Sequence, residues 1–312
     1  MKINYNKILK SIENGKNFAI FIHISPDGDA IGSGMALCEF LKSKKKNAYL
    51  CCDDDVNFSV EFLHPKLEKN ESVIESCDTY IFLDMSAEYR AGKYKKYATK
   101  TRGKKVLVID HHILQSNFGD VVVRDSEKSS TAELIYEILK YSNFDITPVI
   151  ATQLYTGIAS DTGCFVHQNT TPSCHIAAAD LIEKGANINL ANLELFSKRP
   201  DDYMTIVKHS IKHMRIYDNK LTLLVIKNKS YIKLGKPDSF YFIDALTHYT
   251  TDVLAIVTEK EKNKIKLNMR SRISNVQQIC EKFGGGGHKN ASGAEIKSSL
   301  NKVIKQLKEL IL

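Results

Sequence analysis

The sequence predicts an α/β protein: a parallel sheet covered by helices in an N-terminal domain, followed by a smaller α/β domain. Three observations predict it. Strand-length apolar runs alternate with segments of helical spacing through the first half of the chain. Parallel neighbours need crossover connections, so that alternation implies parallel pairing with helices on both faces. The 312 residues leave room for two domains at ~150 residues each.

Each element has its own signal. Phe18–His23 (FAIFIH) is a continuous apolar run and reads as a buried strand. Ala30–Leu41 places Ile31, Met35 and Cys38 on one helical face, with Leu37 and Leu41 beside it. Strands follow at Ala48–Cys52, Thr79–Asp84, Lys105–Asp110 and, shorter, Asp120–Val123. Thr131–Tyr141 and Val149–Ser160 read as helices. A further helix has Thr171 as N-cap and Pro172 at its first position, runs to Lys184 and stops at Gly185. Ala191–Tyr217 is mostly helical. Beyond it, Leu221–Ile226 and Val253–Thr258 read as strands, and Lys264–Met269 returns from the latter as a hairpin. Val276–Phe283 is helical, Gly284–Gly287 is a glycine loop, Ala291–Ile296 is strand-like, and Leu300–Leu312 is an amphipathic helix. The expected division is a first domain at 1–190, a helical linker at 191–215 and a second domain at 216–312.

Composition narrows the class. Hydrophobic residues at 43% and charged residues at 26% exclude wholesale disorder. No apolar run approaches the ~18 residues of a membrane helix, so no membrane partner is expected. The opening MKINYNKILKSIENGKNFAI lacks an apolar core with a cleavage site, and a cytoplasmic location is expected. Seven cysteines without a CxxC pair argue against a disulfide framework or a zinc–thiolate site. The net charge of +8 suits anionic ligands but mixes both signs. Lys42–Lys46 and Lys93–Lys105 read as solvated surface. The tyrosines at Tyr89–Tyr97, Tyr241 and Tyr249 read as packing residues before base-stacking ones.

The densest chemistry lies at the ends of the parallel strands. His23, Asp27 and Asp29 follow the first strand, Asp84 ends the third, and Asp110-His111-His112 end the fourth. Asp161 ends the helix at 149–160. Ligands of open α/β sheets bind outside the carboxyl ends of the strands. A lone histidine at a strand end is ordinarily a hydrogen-bonded structural residue, and Asp-Gly-Asp is ordinarily a turn. Acids and histidines at three strand ends together are not an ordinary coincidence. That many carboxylates repel one another unless a cation joins them. Imidazole and carboxylate without thiolate suit Mn²⁺ first, with Mg²⁺, Co²⁺ and Fe²⁺ as alternatives. Five or six ligands suit two ions ~3.5–4 Å apart that share a carboxylate, an arrangement that serves phosphate-ester displacement.

The segments HISPDGDAIGS (23–33), LDMS (83–86), IDHH (109–112) and SDTGCF (160–165) resemble the DHH family of phosphoesterases. LNMRSR (267–272) followed by FGGGGHKNASG (283–293) resembles the DHH-associated C-terminal domain. The likeness is to the bacterial nanoRNase and pAp-phosphatase branch. The resemblance implies a Rossmann-like N-terminal domain, with the active site in a cleft between the domains. It further implies a first metal on His23, Asp27 and Asp84. A second would sit on Asp29, Asp84, His111 and Asp161, with Asp84 bridging. His112 would lie near the substrate phosphate and Asp110 would orient the histidines, as the catalytic pair. Met85 departs from the small or hydroxyl residues of the family pattern. In the second domain, Arg270, Ser271, Gly285, Gly286, Gly287 and His288 would bind substrate. Arg270 and Arg272 alternate along a strand and so share a face.

The reading is a two-metal hydrolase, Mn²⁺ foremost, whose nucleophile is a hydroxide bridging the ions. The resemblance implies short RNA of roughly two to five residues as substrate, with pAp or pApA as further candidates. A cyclic di-AMP or pApA phosphodiesterase would use the same residues. An inorganic pyrophosphatase is disfavoured by the glycine motif, and a non-catalytic nucleotide-binding module by the complete ligand set. A homodimer stays open.

Overall fold

The computed structural model describes residues 5–99, 103–113, 116–199, 201–246 and 251–312. It divides into two compact units, Met1–Lys198 and Arg199–Leu312.

In the first unit, Phe18, Ile20 and Ile22 enter one core and Ala19 and Phe21 another, so the first strand is buried on both faces. The chain runs α1 (Asn6–Asn14), β1 (Asn17–Phe21), α2 (Gly28–Ser43), β2 (Asn47–Cys51), α3 (Glu71–Ser76), β3 (Thr79–Leu83), β4 (Lys105–Asp110), β5 (Val121–Arg124), α4 (Thr131–Tyr141), α5 (Pro148–Thr162), α6 (Pro172–Glu183) and α7 (Ile188–Asn192). The five strands pair in parallel in the order β2-β1-β3-β4-β5. The larger core lies under α1, α2 and α4 to α6. The other face is covered not by long helices but by α3 and a 3₁₀ segment, Glu88–Ala98, kinked at Gly92. Tyr94 and Tyr97 pack there against Phe21, so these tyrosines are core. Tyr89 is exposed, Tyr241 packs in the second unit, and Tyr249 lies outside the described residues. Lys46 is not merely solvated: its ammonium reaches the Glu13 carbonyl at 2.9 Å and caps the end of α1.

Residues 191–215 are shared between the units. Ala191 of α7 and Leu195 of the wide turn after it belong to the first core. α8 (Tyr203–His213) belongs to the second, where Ile206 packs with Leu224, Ile226 and Phe242.

The second unit continues with β6 (Arg215–Tyr217), β7 (Leu221–Ile226), α9 (Asn228–Lys233), α10 (Ser239–Leu246), β8 (Val253–Glu261), β9 (Lys264–Ser271), α11 (Val276–Glu281), β10 (Gly286–His288), β11 (Ala291–Lys297) and α12 (Leu300–Ile311). Its sheet has the order β10-β11-β9-β8-β7-β6, parallel only between β7 and β8. The β8–β9 hairpin is present as expected. The glycine run is not the open loop that the sequence suggested. Gly286–His288 is an edge strand paired with β11, and a side chain at Gly285 would collide with the Gly293 carbonyl. Nor does Arg272 share a strand face with Arg270. β9 ends at Ser271, and Asp252 turns the chain by accepting the N–H groups of Ile273 at 2.8 Å and Ser274 at 3.3 Å.

Candidate metal centre

Local sequence aims each acid. Asp27 caps α2, its carboxylate accepting the N–H groups of Asp29 (3.0 Å) and Ala30 (3.1 Å). Asp29, in the first helical turn, is fully buried because α2 packs tightly on α5. A Cβ at Gly157 would lie 2.8 Å from Asp29 Oδ1, so only glycine fits there. Asp84 leaves β3 in the left-handed region, φ 59°, a conformation costly for a non-glycine residue and concentrated at functional sites. The following Met85, the departure from the family pattern, is buried in the smaller core and anchors that turn. Asp161 sits in the last turn of α5, which Gly163 terminates at φ 56°.

These elements bring His23, Asp27, Asp29, Asp84, His111 and Asp161 together. His23 Nε2 lies 3.7 Å from Asp27 Oδ1 and 3.5 Å from Asp84 Oδ2. His111 Nε2 lies 3.6 Å from Asp84 Oδ1 and 3.1 Å from Asp161 Oδ2. Asp84 thus turns one oxygen toward each histidine. The ligand atoms cluster in three groups that could hold a metal: His23, Asp27 and Asp84; Asp29, His111 and Asp161; and Asp84, His111 and His112. The third brings His112 within ligand reach. Its Nδ1 lies 2.8 Å from Asp110 Oδ1 and 3.7 Å from Asp84.

The electrostatics call for a cation. Burial and the charges of Asp84 and Asp161 push the Asp29 carboxyl well above its ordinary pKa. Burial would lower His23, but its hydrogen bonds to Asp27 and Asp84 outweigh that and raise it to about 10. Burial would raise Asp84, yet its hydrogen bond with His23 and the nearby imidazoles hold it far below the carboxylate range. Without a cation the cluster therefore keeps protons as counter-charge. His111 Nε2 is buried with no well-aligned hydrogen-bond partner among the described residues, while its Nδ1 lies 3.3 Å from the Lys128 carbonyl. An orphaned imidazole nitrogen facing carboxylates suits a ligand position, and the nitrogen behind it is held by backbone. The donor set fits hard or borderline divalent ions.

Residues 17–158 match the DHH family, N-terminal domain, and residues 242–312 match the DHHA1 domain. The chain is 31% identical over 296 residues to the bifunctional oligoribonuclease and PAP phosphatase NrnA of Thermus thermophilus, covering 93% of this chain and 87% of that protein. The chain belongs to the DHH family. It is a phosphoesterase of that family, of mixed α/β fold, as the sequence indicated. Among solved structures, an exopolyphosphatase-related protein from Bacteroides fragilis superposes with a TM-score of 0.89 at 23% identity, covering 97% of this chain and 94% of that one. RecJ from Thermus thermophilus in complex with Mn²⁺ shares the fold at a TM-score of 0.53 and 13% identity, covering 97% of this chain and 52% of that one.

The DHH centre has supports that sequence reasoning does not reach. Thr131, which the sequence offers as either a polar site residue or a helix cap, donates its hydroxyl to Asp84 Oδ1 at 2.9 Å. Its N–H donates to Asp29 Oδ2 at 2.6 Å, and the Ala132 N–H to Oδ1 at 2.8 Å. The N-terminus of α4 thereby holds two of the acids. Ser130 is the actual cap. The capping signal Ser130-x-x-Glu133 is legible; its reach to Asp29 and Asp84, 102 and 47 residues away, is not. Arg90 brings Nη2 within 3.2 Å of His23 Nδ1, and Arg124 donates to Asp110 at 2.9 Å. Neither lies in a recognisable motif.

In the second unit, Arg270 is half-buried on β9, bonded to the Met269 carbonyl at 2.9 Å, with no carboxylate partner among the described residues. Burial lowers its pKa. His288 on β10 and Arg270 on β9 both pair with Ala291, from opposite sides of β11. Ser271 donates its hydroxyl to the Ser274 carbonyl at 2.5 Å and accepts from Asn290 at 3.2 Å, so it holds a turn.

No helix among the described residues is long and apolar enough to cross a membrane, and all seven cysteines are free.

Proposed function

We propose that this DHH phosphoesterase hydrolyses short oligoribonucleotides to mononucleotides, and PAP to AMP, with two divalent ions, Mn²⁺ foremost. The observation that carries the reading is Asp84, which presents one oxygen to each of two imidazole–carboxylate groups. The similarity to NrnA along nearly the whole chain supports the substrate class. His23, Asp27 and Asp84 are the candidate ligands of one ion; Asp29, Asp84, His111 and Asp161 are those of the other. When bound, such ions lower the pKa of coordinated water and neutralise charge on the phosphoryl group.

The chain's own residues supply the rest. Thr131 and the start of α4 hold Asp29 and Asp84 in place. Asp110 accepts from His112 Nδ1 and so turns Nε2 outward, where it can hold a proton against a phosphoryl oxygen. Arg270 and His288 are the candidate contacts of the substrate's phosphate, suited to it by charge. The test is a panel of di- to pentanucleotides, a 24-mer, PAP, pApA, cyclic di-AMP and pyrophosphate, assayed with Mn²⁺. The expected result is that the short RNAs and PAP are hydrolysed at least about tenfold faster than the 24-mer and pyrophosphate. Preference for cyclic di-AMP or equal rates at all lengths would overturn it.

A further inference from the structure

Asp110 lies beside the candidate metal centre. It is fully buried at the end of β4, and both of its oxygens are engaged. Oδ1 faces His112 twice, accepting its backbone N–H at 3.1 Å and meeting its Nδ1 at 2.8 Å. Oδ2 accepts from Arg124 Nε at 2.9 Å. Arg124 is the last residue of β5, directly across the parallel ladder from Asp110, and its side chain is 14% exposed. Its Nη2 is buried without a hydrogen-bond partner among the described residues.

The arrangement is costly unless it does something. A guanidinium is held out of water with one of its donors unsatisfied, in order to pin one oxygen of one carboxylate. A carboxylate bonded at a single oxygen can swing about its last side-chain torsion, which is broad. Bonded at both, it cannot turn without breaking a charge-assisted hydrogen bond in a dry site. His112 takes its ring orientation from that carboxylate. A rigid Asp110 therefore keeps the His112 ring in one orientation beside Asp84 and His111, with which it shares the third ligand group, and a loose one lets it turn.

We propose that Arg124 is a positioning residue for His112: it acts through Asp110 and holds the imidazole in one orientation, with Nδ1 on Asp110 and Nε2 left for the phosphoryl group. This rests on the reading of His112 as the residue that faces the phosphoryl group. It does not depend on which nucleotide is the natural substrate.

The experiment compares wild type with R124M, R124K, H112A and the double variant R124M/H112A. Each is loaded with Mn²⁺ and assayed on a dinucleotide and on bis(p-nitrophenyl) phosphate, with melting temperature and metal content measured alongside. R124M is expected to lower kcat about tenfold to a hundredfold on both substrates with little change in KM, the size usual for a residue behind a reacting group. R124K, which keeps the charge, is expected to restore part of the loss. In the H112A background the same substitution is expected to cost nothing further, because the group it positions is gone. An equal loss from R124M with and without His112, or a kcat that is unchanged by R124M, overturns the proposal. So does a loss that R124M produces only through lost Mn²⁺ or a collapsed melting temperature while R124K matches wild type in both. Hydrolysis of the p-nitrophenyl ester without the dinucleotide would strike the substrate reading alone and leave this test intact.

Discussion

The two units build their polar sites in opposite ways. In the first, the acids and imidazoles converge from the ends of β1, β3, β4, α2 and α5 around a backbone at positive φ at Asp84; His23, Asp29, Asp84 and His111 are buried, Asp161 is partly exposed and Asp27 is exposed. In the second, Arg270 and His288 lie on either side of Ala291 across three antiparallel strands, beside glycines, and no carboxylate faces Arg270 among the described residues. The first site is electrostatically unstable by itself, with one carboxyl pushed up and both outer imidazoles pulled up. The second is a basic edge suited to an anion. Converging charge demands a cation and concentrates chemistry; a flat basic face offers recognition at small structural cost.

The sharpest way to break the comparison is at Asp84. Asn at this position keeps the shape and tolerates the left-handed backbone. D84N should lower kcat on the order of a thousandfold and reduce bound Mn²⁺, while its metal-free melting temperature stays equal to or above that of wild type. Chelation of the wild type should match the loss of rate, and added Mn²⁺ should reverse it. Elemental analysis and thermal melting check both.

R270A should act on the other side of the contrast. Losing one charged phosphate contact costs ~1.5–3 kcal/mol, about tenfold to a hundredfold in kcat/KM, with metal stoichiometry unaltered. Steady-state kinetics on a dinucleotide, paired with metal analysis, would show it. A fall in Mn²⁺ content would blur the division between the two sites.

T131V is a subtler probe of the first site. It removes the hydroxyl that reaches Asp84 and keeps the N–H that reaches Asp29. A loss of about tenfold in apparent Mn²⁺ affinity is expected, read from the metal dependence of the rate.

The smallest effect tests structural against functional acids. Burial would raise the pKa of Asp78, but hydrogen bonds from Thr79 and from the N–H groups of Asn17 and Lys16 outweigh it and hold it below the ordinary value. A depressed pKa gives stability that is present above the unfolded value of ~3.9 and lost as pH falls through the folded one. D78N should therefore melt below wild type at about pH 6, and the gap should close below about pH 3, with no change in kcat at neutral pH.

How far the sequence reaches depends on whether the determinants are local. The strands Phe18–His23 and Lys105–Asp110 are legible because a doubly buried parallel strand is a continuous apolar run, and the helix after Thr171 because Thr-Pro is a start signal. α1 gives a weaker signal, since Ile8, Leu9 and Ile12 make only a short stripe in nine residues, and its burial comes from contacts with distant elements. The candidate metal ligands are nameable from the chain alone because each sits beside a strand end or a turn residue. Their supports are not. That Thr131 holds both Asp29 and Asp84, that Arg124 pins Asp110, and that the glycine run is an edge strand are facts of tertiary pairing. Sequence alone determined which chemical groups this protein carries and on which element ends they ride, because periodicity and turn chemistry are local. Which groups brace one another was decided only in three dimensions, because hydrogen bonds between residues 14 to 102 positions apart leave no periodic trace.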